Sequence, residues 1–388
     1  MMKQRSNKAG KLYRRKTAAA VLLGMLGLMF LIELIPIQRS YSGKENRKLL
    51  GRPEISLKAV ADGSFMRQYE EYRSDQFTGR SLWLSVRNDM DLLAGRRDSN
   101  GVFKGEDQYL LEDVARPDQE QMKEKLDAMG EFRSSYGKVP MYLMLVPNSA
   151  NILEDKLPRF AVTADQEQIF EDIRQELGEQ VVWVDVSKTL KEHRKEEIYY
   201  RTDSRWTTRG AYYAFQKLSE TMGLDQEKTP KWQEYVVTNI FNGNLSARSG
   251  YGGGVEESIY IYDAEKKGEE PQIVVEYVDE GRKTSTLYDR TKLKETDAYS
   301  LFLGGDHARV NIRTTADTTD RLLLVKDSYA NCLIPFLTPY YREVIVIDPA
   351  YYKGSLDDIM EENKITSVLF LYNGNTFAED ENINGVLR

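Results

Sequence analysis

Arg321-Leu-Leu-Leu-Val-Lys-Asp-Ser-Tyr-Ala-Asn-Cys-Leu333 is an apolar run that ends in Asp327-Ser328 and passes into a segment with helical spacing. That layout puts Ser328 at the carboxyl end of a strand, the edge at which open α/β sheets bind ligands. A serine there is exposed to a reacting group. Its own N–H and those of the following turn can stabilise an oxyanion. The plainer reading is that Asp327-Ser328 only caps the next helix.

Working outward, the same grammar recurs on both sides. Met141–Val146 is a continuous apolar run, as a strand buried on both faces requires. Asp118 caps a helix carrying Met122, Leu126 and Met129 on one face and ended by Gly137. Asp165 opens a second helix, ended by Gly178. Val181–Val186, Val344–Ile347 and Ser367–Leu371 read as further strands, with helices over 208–222, 329–336 and 355–362. Strand, helix, strand at these lengths predicts an α/β domain with a parallel sheet covered on both faces. Residues 240–300 interrupt it with Gly- and Tyr-rich sequence and two strands, Ile259–Tyr262 and Ile273–Tyr277, read as an inserted antiparallel β subdomain or lid. Upstream, Val102-Phe103 and Tyr109–Leu111 suggest a hairpin. Segment 61–97 has helical spacing, broken near Phe77–Arg80.

The amino terminus differs in kind. Residues 1–40 hold eight Lys and Arg against Glu33, a charge of +7. The whole chain carries −7, so −14 falls on residues 41–388. An acidic body excludes nucleic acid as a partner, because phosphate binding needs a basic face. Seven of the cations precede Thr17–Ile37, apolar except at Glu33 and long enough to span a hydrocarbon core. This predicts a basic cytoplasmic tail over 1–16, one transmembrane helix over 17–37, a tether over 38–60 and an extracytoplasmic domain over 61–388. A cleaved signal peptide is the alternative. Cys332 is the single cysteine and sits among apolar residues, a small core residue rather than a reactive thiol. Two histidines and one cysteine cannot make a structural zinc site, and nothing in the sequence calls for a metal or cofactor.

The second decisive stretch is Tyr199-Tyr-Arg-Thr-Asp-Ser-Arg-Trp206, leading into the helix from 208. Together with Glu45–Lys48, Arg52-Pro53, Tyr69–Phe77, Asn100–Val102, Leu145–Asn148, Gly304-Gly305 and Lys326–Asn331, in this order, it resembles the DHHW family of exported bacterial proteins. It is similar, more distantly, to the SGNH-like O-acetyltransferases that modify alginate. The resemblance covers nearly all of the extracytoplasmic part. It implies an SGNH-like three-layer α/β/α domain in which the serine follows the Asp motif. In related acetyltransferases a His before the Trp is the general base, an Asp orients it and a later Ser is the nucleophile. Carried over, Asp203 is the orienting acid and Ser328 the nucleophile, but Arg205 occupies the position of the base.

A guanidinium stays protonated at physiological pH and cannot take the serine proton. Two readings follow. The chain has lost catalysis and kept the fold, with Arg205 paired to Asp203 or holding an anionic group of a ligand; or another base serves, with His307 in Gly304-Gly-Asp-His307 the candidate. His193 lies on a charged helix face and reads as solvent-exposed. Gly304 and Gly305 supply either oxyanion N–H groups or a turn with positive φ. Trp206, Asp327 and Asn331 join the binding side of the site, with Asn373 and Asn375 as further donors and Lys326 as a lysine of undecided facing. The resemblance implies a polysaccharide substrate, O-acetylation of a cell-surface or exported glycan, and a membrane-bound acyl-transfer partner. The alternative function is a non-catalytic glycan-binding or assembly subunit of the cell envelope.

Overall fold

The computed structural model describes residues 63–77, 79–251, 255–266 and 268–388, with scattered positions before Gly63. The proposed membrane span over 17–37 lies mostly outside the described residues, and among these no helix is long and apolar enough to cross a membrane. The chain divides into two compact units, Met1–Leu93 and Ala94–Arg388.

In the first unit, β1 (Tyr41–Ser42) pairs antiparallel with β2 (Arg47–Lys48). The helical spacing of 61–97 becomes two helices, α1 (Ser64–Gln76) and α2 (Arg80–Leu93). Gly79 breaks them with φ of 71°, a left-handed conformation that favours glycine. Asp75 anchors the preceding chain by accepting from Leu50 N at 3.0 Å.

The second unit opens with a three-stranded antiparallel sheet, β3 (Asp98–Ser99), β4 (Val102–Lys104) and β5 (Leu110–Glu112). Next come α3 (Gln119–Ser135), capped by Asp118 through Glu120 N and Gln121 N, β6 (Met141–Val146) and α4 (Gln166–Leu177), capped by Asp165. The apolar run 181–186 supplies only a two-residue edge strand, β7 (Val182–Trp183). α5 (Thr208–Met222) follows the Asp203 loop. Then come β8 (Trp232–Phe241), β9 (Glu257–Ala264), β10 (Ile273–Tyr277), β11 (Arg282–Thr284) and β12 (Arg309–Thr314). The unit finishes with β13 (Arg321–Lys326), β14 (Glu343–Ile347), α6 (Leu356–Asn363) and β15 (Ser367–Asn373).

The main sheet has the order β11-β10-β12-β14-β13-β15-β6-β7 and is mixed, which corrects the expectation of a parallel sheet. Pairings from β14 across to β7 are parallel; β12 on β14, β10 on β12 and β11 on β10 are antiparallel. The turn from β10 to β11 is too short for a parallel crossover, which needs a dozen or more residues. The two strands read in segment 240–300 do not pair with each other. β9 forms a separate hairpin with β8, and β10 extends the main sheet.

Strand alternation sorts the core into two layers. Leu322, Leu324, Val344, Val346, Leu369 and Leu371 face α5 and the segment after Ser328. Leu323, Val325, Ile345, Ile347, Val368 and Phe370 face α3, α4, α6 and the carboxyl-terminal helix. Helices therefore cover both faces. Fully burying one such side chain contributes about 1.5–3 kcal/mol, so the central strands hold the sheet edge rigid. Ile345→Ala in β14 is expected to cost about 2–5 kcal/mol through lost burial and a residual cavity, read as a lower midpoint in urea unfolding.

Candidate active site

The parallel strands β13, β15 and β6 end at the same edge, with Lys326 beside Leu371 and Asn373 beside Val146. Ser328, half-buried, opens a 3₁₀ turn, Ser328–Cys332, directly after β13. That turn and a single helical turn, Ile334–Leu337, replace the one helix expected over 329–336. Asp327 holds the turn: its carboxylate accepts from Tyr329 N and from Asn373 N, both at 2.9 Å. Burial pushes this carboxyl up to about 6 despite those two donors. The cap reading of Asp327 is therefore met. Ser328 Oγ makes no hydrogen bond to a described residue, which leaves its hydroxyl uncommitted.

The Asp203 loop is tied to this turn. Trp206, fully buried, donates from Nε1 to Tyr329 O at 2.9 Å, and the Tyr329 hydroxyl donates back to Ser204 O. A bridge between Tyr199 and Trp206 closes the loop, and Thr207 caps α5 through Gly210 N. Gly243 lies directly against Asp203, where a Cβ would come within 2.3 Å of the Asp203 Cβ. Asn244 N donates to Asp203 Oδ2 at 3.0 Å.

Arg205 and Asp203 form a bidentate pair, Nε to Oδ1 at 2.6 Å and Nη2 to Oδ2 at 2.8 Å. Asp203 Oδ1 also accepts the Arg205 N–H at 3.0 Å. The same Nη2 also donates to Asp297 Oδ1 at 3.0 Å, and the guanidinium carbon lies 3.8 Å from the centre of the Tyr299 ring. Burial pushes the Asp203 carboxyl up, but the Arg205 charge and hydrogen bonds outweigh it and hold it below its ordinary value. Burial likewise opposes the Arg205 charge, and Asp203 and Asp297 more than restore it. Both oxygens of the acid are spent on the guanidinium and on backbone donors.

Neither histidine bonds Ser328. His307 Nδ1 is 2.5 Å from Glu280 Oε1, Nε2 is 3.2 Å from Leu303 O, and the ring packs edge-on against Tyr277. Both ring nitrogens thus face acceptors. His193 Nδ1 contacts Glu196 at 2.7 Å and its ring stacks on Tyr213. The chain has only these two imidazoles.

Lys326 is fully buried between Asp306 at 2.9 Å and Asp348 at 2.8 Å. Burial disfavours its ammonium, yet the two carboxylates raise its pKa, so it is a fixed cation and no base. Burial pushes Asp306 up as well, but Lys326 and the Asn331 amide bring it down to about 2. Asn331 gives its Nδ2 to Asp306 at 2.9 Å, and its Oδ1 is buried without a partner. Gly304 and Gly305 have φ of 74° and 108°, and Gly305 N donates to Phe302 O, so the pair makes the turn with positive φ. Asn373 and Asn375 are absorbed by a cap and by contacts to Ala115 and Asp113. No group of metal-ligating side chains occurs among the described residues. Asp297, Tyr299, Asn244, Asp306 and Asp348 were missed in the sequence. Asn244, inside the Asn242-Gly-Asn turn, and Asp306, inside Gly304-Gly-Asp-His307, carried a local signal.

Fold and site together define an α/β protein with a strand-end serine and a buried acid in the loop before α5. The DHHW protein family model matches residues 122–347, more than half of the chain, and the chain belongs to the DHHW family. A DHHW family protein from Eubacterium siraeum DSM 15702 has a similar structure, 24% identical, covering 74% of this chain and 95% of its own, with a TM-score of 0.63. Bacillus cereus PatB1, solved with a sulfonyl adduct, is 20% identical over 72% of this chain and 96% of its own, with a TM-score of 0.59. The O-acetyltransferase domain of Pseudomonas putida AlgJ is similar at 15% identity, 72% and 93% coverage and a TM-score of 0.47. The first two likenesses establish the fold. No curated protein matches the chain.

Two outcomes test the ion networks. Asp203→Ala leaves a buried guanidinium short of its main counter-ion and is expected to cost about 3–5 kcal/mol in denaturant unfolding, whereas Asp203→Ala with Arg205→Met together costs less. The Asp306 carboxyl titrates lower folded than its ordinary value of about 3.9 unfolded, so its stabilisation is present above pH ~4 and lost as pH falls. The stability gap between wild type and Asp306→Asn should close between about pH 4 and pH 2.

Proposed function

We propose that this chain is an SGNH-like member of the DHHW family that takes part in O-acetylation of a cell-surface or exported polysaccharide, with weak or no serine catalysis. The observation that carries the reading is the bidentate hold of Arg205 on Asp203 at 2.6 and 2.8 Å. The dyad that would orient and use an imidazole is here an ion pair. A serine triad works by an imidazole that takes and returns a proton, and general acid–base assistance contributes about 10²–10⁴ in rate. With His307 and His193 both engaged elsewhere, Ser328 is left with a hydroxyl and no acceptor.

The polysaccharide and acetyl parts of the reading come from the resemblance of the sequence motifs to the SGNH-like O-acetyltransferases that modify alginate. Fold alone does not set chemistry, and the substrate is part of the proposal. So are the anchor over 17–37, the extracytoplasmic placement and a membrane-bound acyl-transfer partner. A glycan-binding or assembly subunit is the second reading, favoured by the spent Asp203.

Hydrolysis of p-nitrophenyl acetate by wild type, Ser328→Ala and Arg205→His tests it. Wild type is expected to match Ser328→Ala, and Arg205→His to gain about 10²-fold or more over both, the lower end of what a general base contributes. Wild-type turnover that disappears in Ser328→Ala would overturn the loss of catalysis and direct attention to His307→Ala. Silence in all three favours the binding subunit. A sulfonyl fluoride gives an independent readout, with slow or no mass gain in wild type and faster gain in Arg205→His.

A further inference from the structure

The charges tied to the Ser328 turn are arranged in depth. Arg205 and Lys326 are buried, with side chains 8% and 0% exposed, while one partner of each, Asp297 and Asp306, is 32% and 29% exposed. The other partners, Asp203 and Asp348, are buried. The cations therefore lie behind and the carboxylates in front. Two cations against four carboxylates leave a charge of −2, and the Asp327 carboxyl, up at about 6, adds to it at neutral pH. Two further pairs, Glu112 with Arg248 and Glu280 with Arg282, cancel within themselves.

Both outer acids are bound to the serine turn. Asp306 Oδ1 takes Lys326 Nζ and Asn331 Nδ2, each at 2.9 Å, and Asn331 belongs to that turn. Asp306 Oδ2 bonds no described residue. Asp297 is held by Arg205, whose neighbour Trp206 donates to Tyr329 O in the same turn. Its Oδ2 accepts the Ser300 hydroxyl at 3.0 Å. Asn331 supplies an independent sign. Its Nδ2 lies 2.9 Å from Asp306 Oδ1 and 3.5 Å from Gly305 O, two acceptors that fix which way the amide points. Its Oδ1 is then buried without a donor, and a buried acceptor left unpaired costs free energy. The open carboxylate and amide positions at this turn are thus acceptors, and an ionised carboxylate can only accept.

We infer that Asp297 and Asp306 set which glycan the site takes: sugar units that present hydroxyl or ammonium donors, and not uronic acids. The inference rests on the glycan reading of the site proposed above. A sugar hydroxyl donates to a carboxylate in a charge-assisted hydrogen bond. An ammonium gains attraction from the same two groups. A uronate meets like charge in front, while the guanidinium and ammonium that could bind it are covered. Repulsion of this kind is how a site rejects a wrong partner. The preference sets this chain apart from proteins that modify alginate, a polyuronate.

Isothermal titration of the full-length protein with cellohexaose, a chitosan hexamer and a mannuronate hexamer tests this. The titrations are run at about 0.15 M salt, where charges more than ~8 Å from the ligand are screened, so the acidic body as a whole does not decide the result. The neutral or the amino hexamer is expected to bind at least about tenfold more tightly than the uronate; which of the two binds tells hydroxyl from ammonium recognition. Asp297→Asn keeps the shape and leaves Arg205 paired to Asp203. It should weaken the favoured hexamer by about tenfold, the lower end of what a hydrogen bond to a charged group contributes, and narrow the gap to the uronate, with Asp297→Glu restoring both. Uronate binding as tight as that of the other two overturns the inference and leaves the glycan reading standing. A preference unchanged in both Asp297→Asn and Asp306→Asn puts the selection elsewhere and also overturns it. Binding of none of the three overturns the inference and the glycan reading together.

Discussion

A buried guanidinium cannot shed its proton, and this one constraint organises the candidate site. An imidazole in the same place can become neutral when burial makes its charge costly. Arg205 has no such escape, so the fold must surround it with counter-charge. Asp203 grips it in two places, Asp297 shares its Nη2 and the Tyr299 ring packs against it. Each of these partners is then fixed in turn. Gly243 is pressed against Asp203 because no side chain fits there, and Asn244 completes the acid's shell of donors. The loop's contacts are thus set by the charge at its centre.

The same solution appears one strand away. Lys326 is buried between Asp306 and Asp348, with Asn331 supporting the first. Both cations precede the Ser328 turn in sequence, and neither supplies a base. Each instead holds two carboxylates, Asp203 and Asp297 on Arg205 and Asp306 and Asp348 on Lys326. Beside the strand-end serine, four of the site's acids are thus held in ion pairs, and Asp327 is held by backbone N–H groups.

Much of the fold could be read before the structure. Periodicity and caps placed α5 at 208–222 and β6 at 141–146, because a continuous apolar run and a capped amphipathic stripe are local signals. Ser328 at a strand end followed from the same local grammar. What escaped depended on distance. β12 pairs antiparallel with β14 across more than thirty residues of sequence, and nothing local distinguishes it from a loop strand. Val181–Val186 has the composition of a buried strand, but only two residues find a partner at the sheet edge. Asp297 sits 92 residues from Arg205, and no motif announces such a pair. Lys326 was ambiguous because alternation gives the side a residue faces, not the carboxylates that meet it.

Cys332 closes the Ser328 turn, fully buried, with its thiol pushed by burial up to about 12. It packs beneath the residues that join the turn to the Asp203 loop, its sulfur 3.7 Å from Tyr329 O. A thiol so placed is silent while the turn is closed and reactive once it opens. Because it is the chain's single cysteine, the pace of its alkylation in otherwise native solvent is a clock for the opening of this turn.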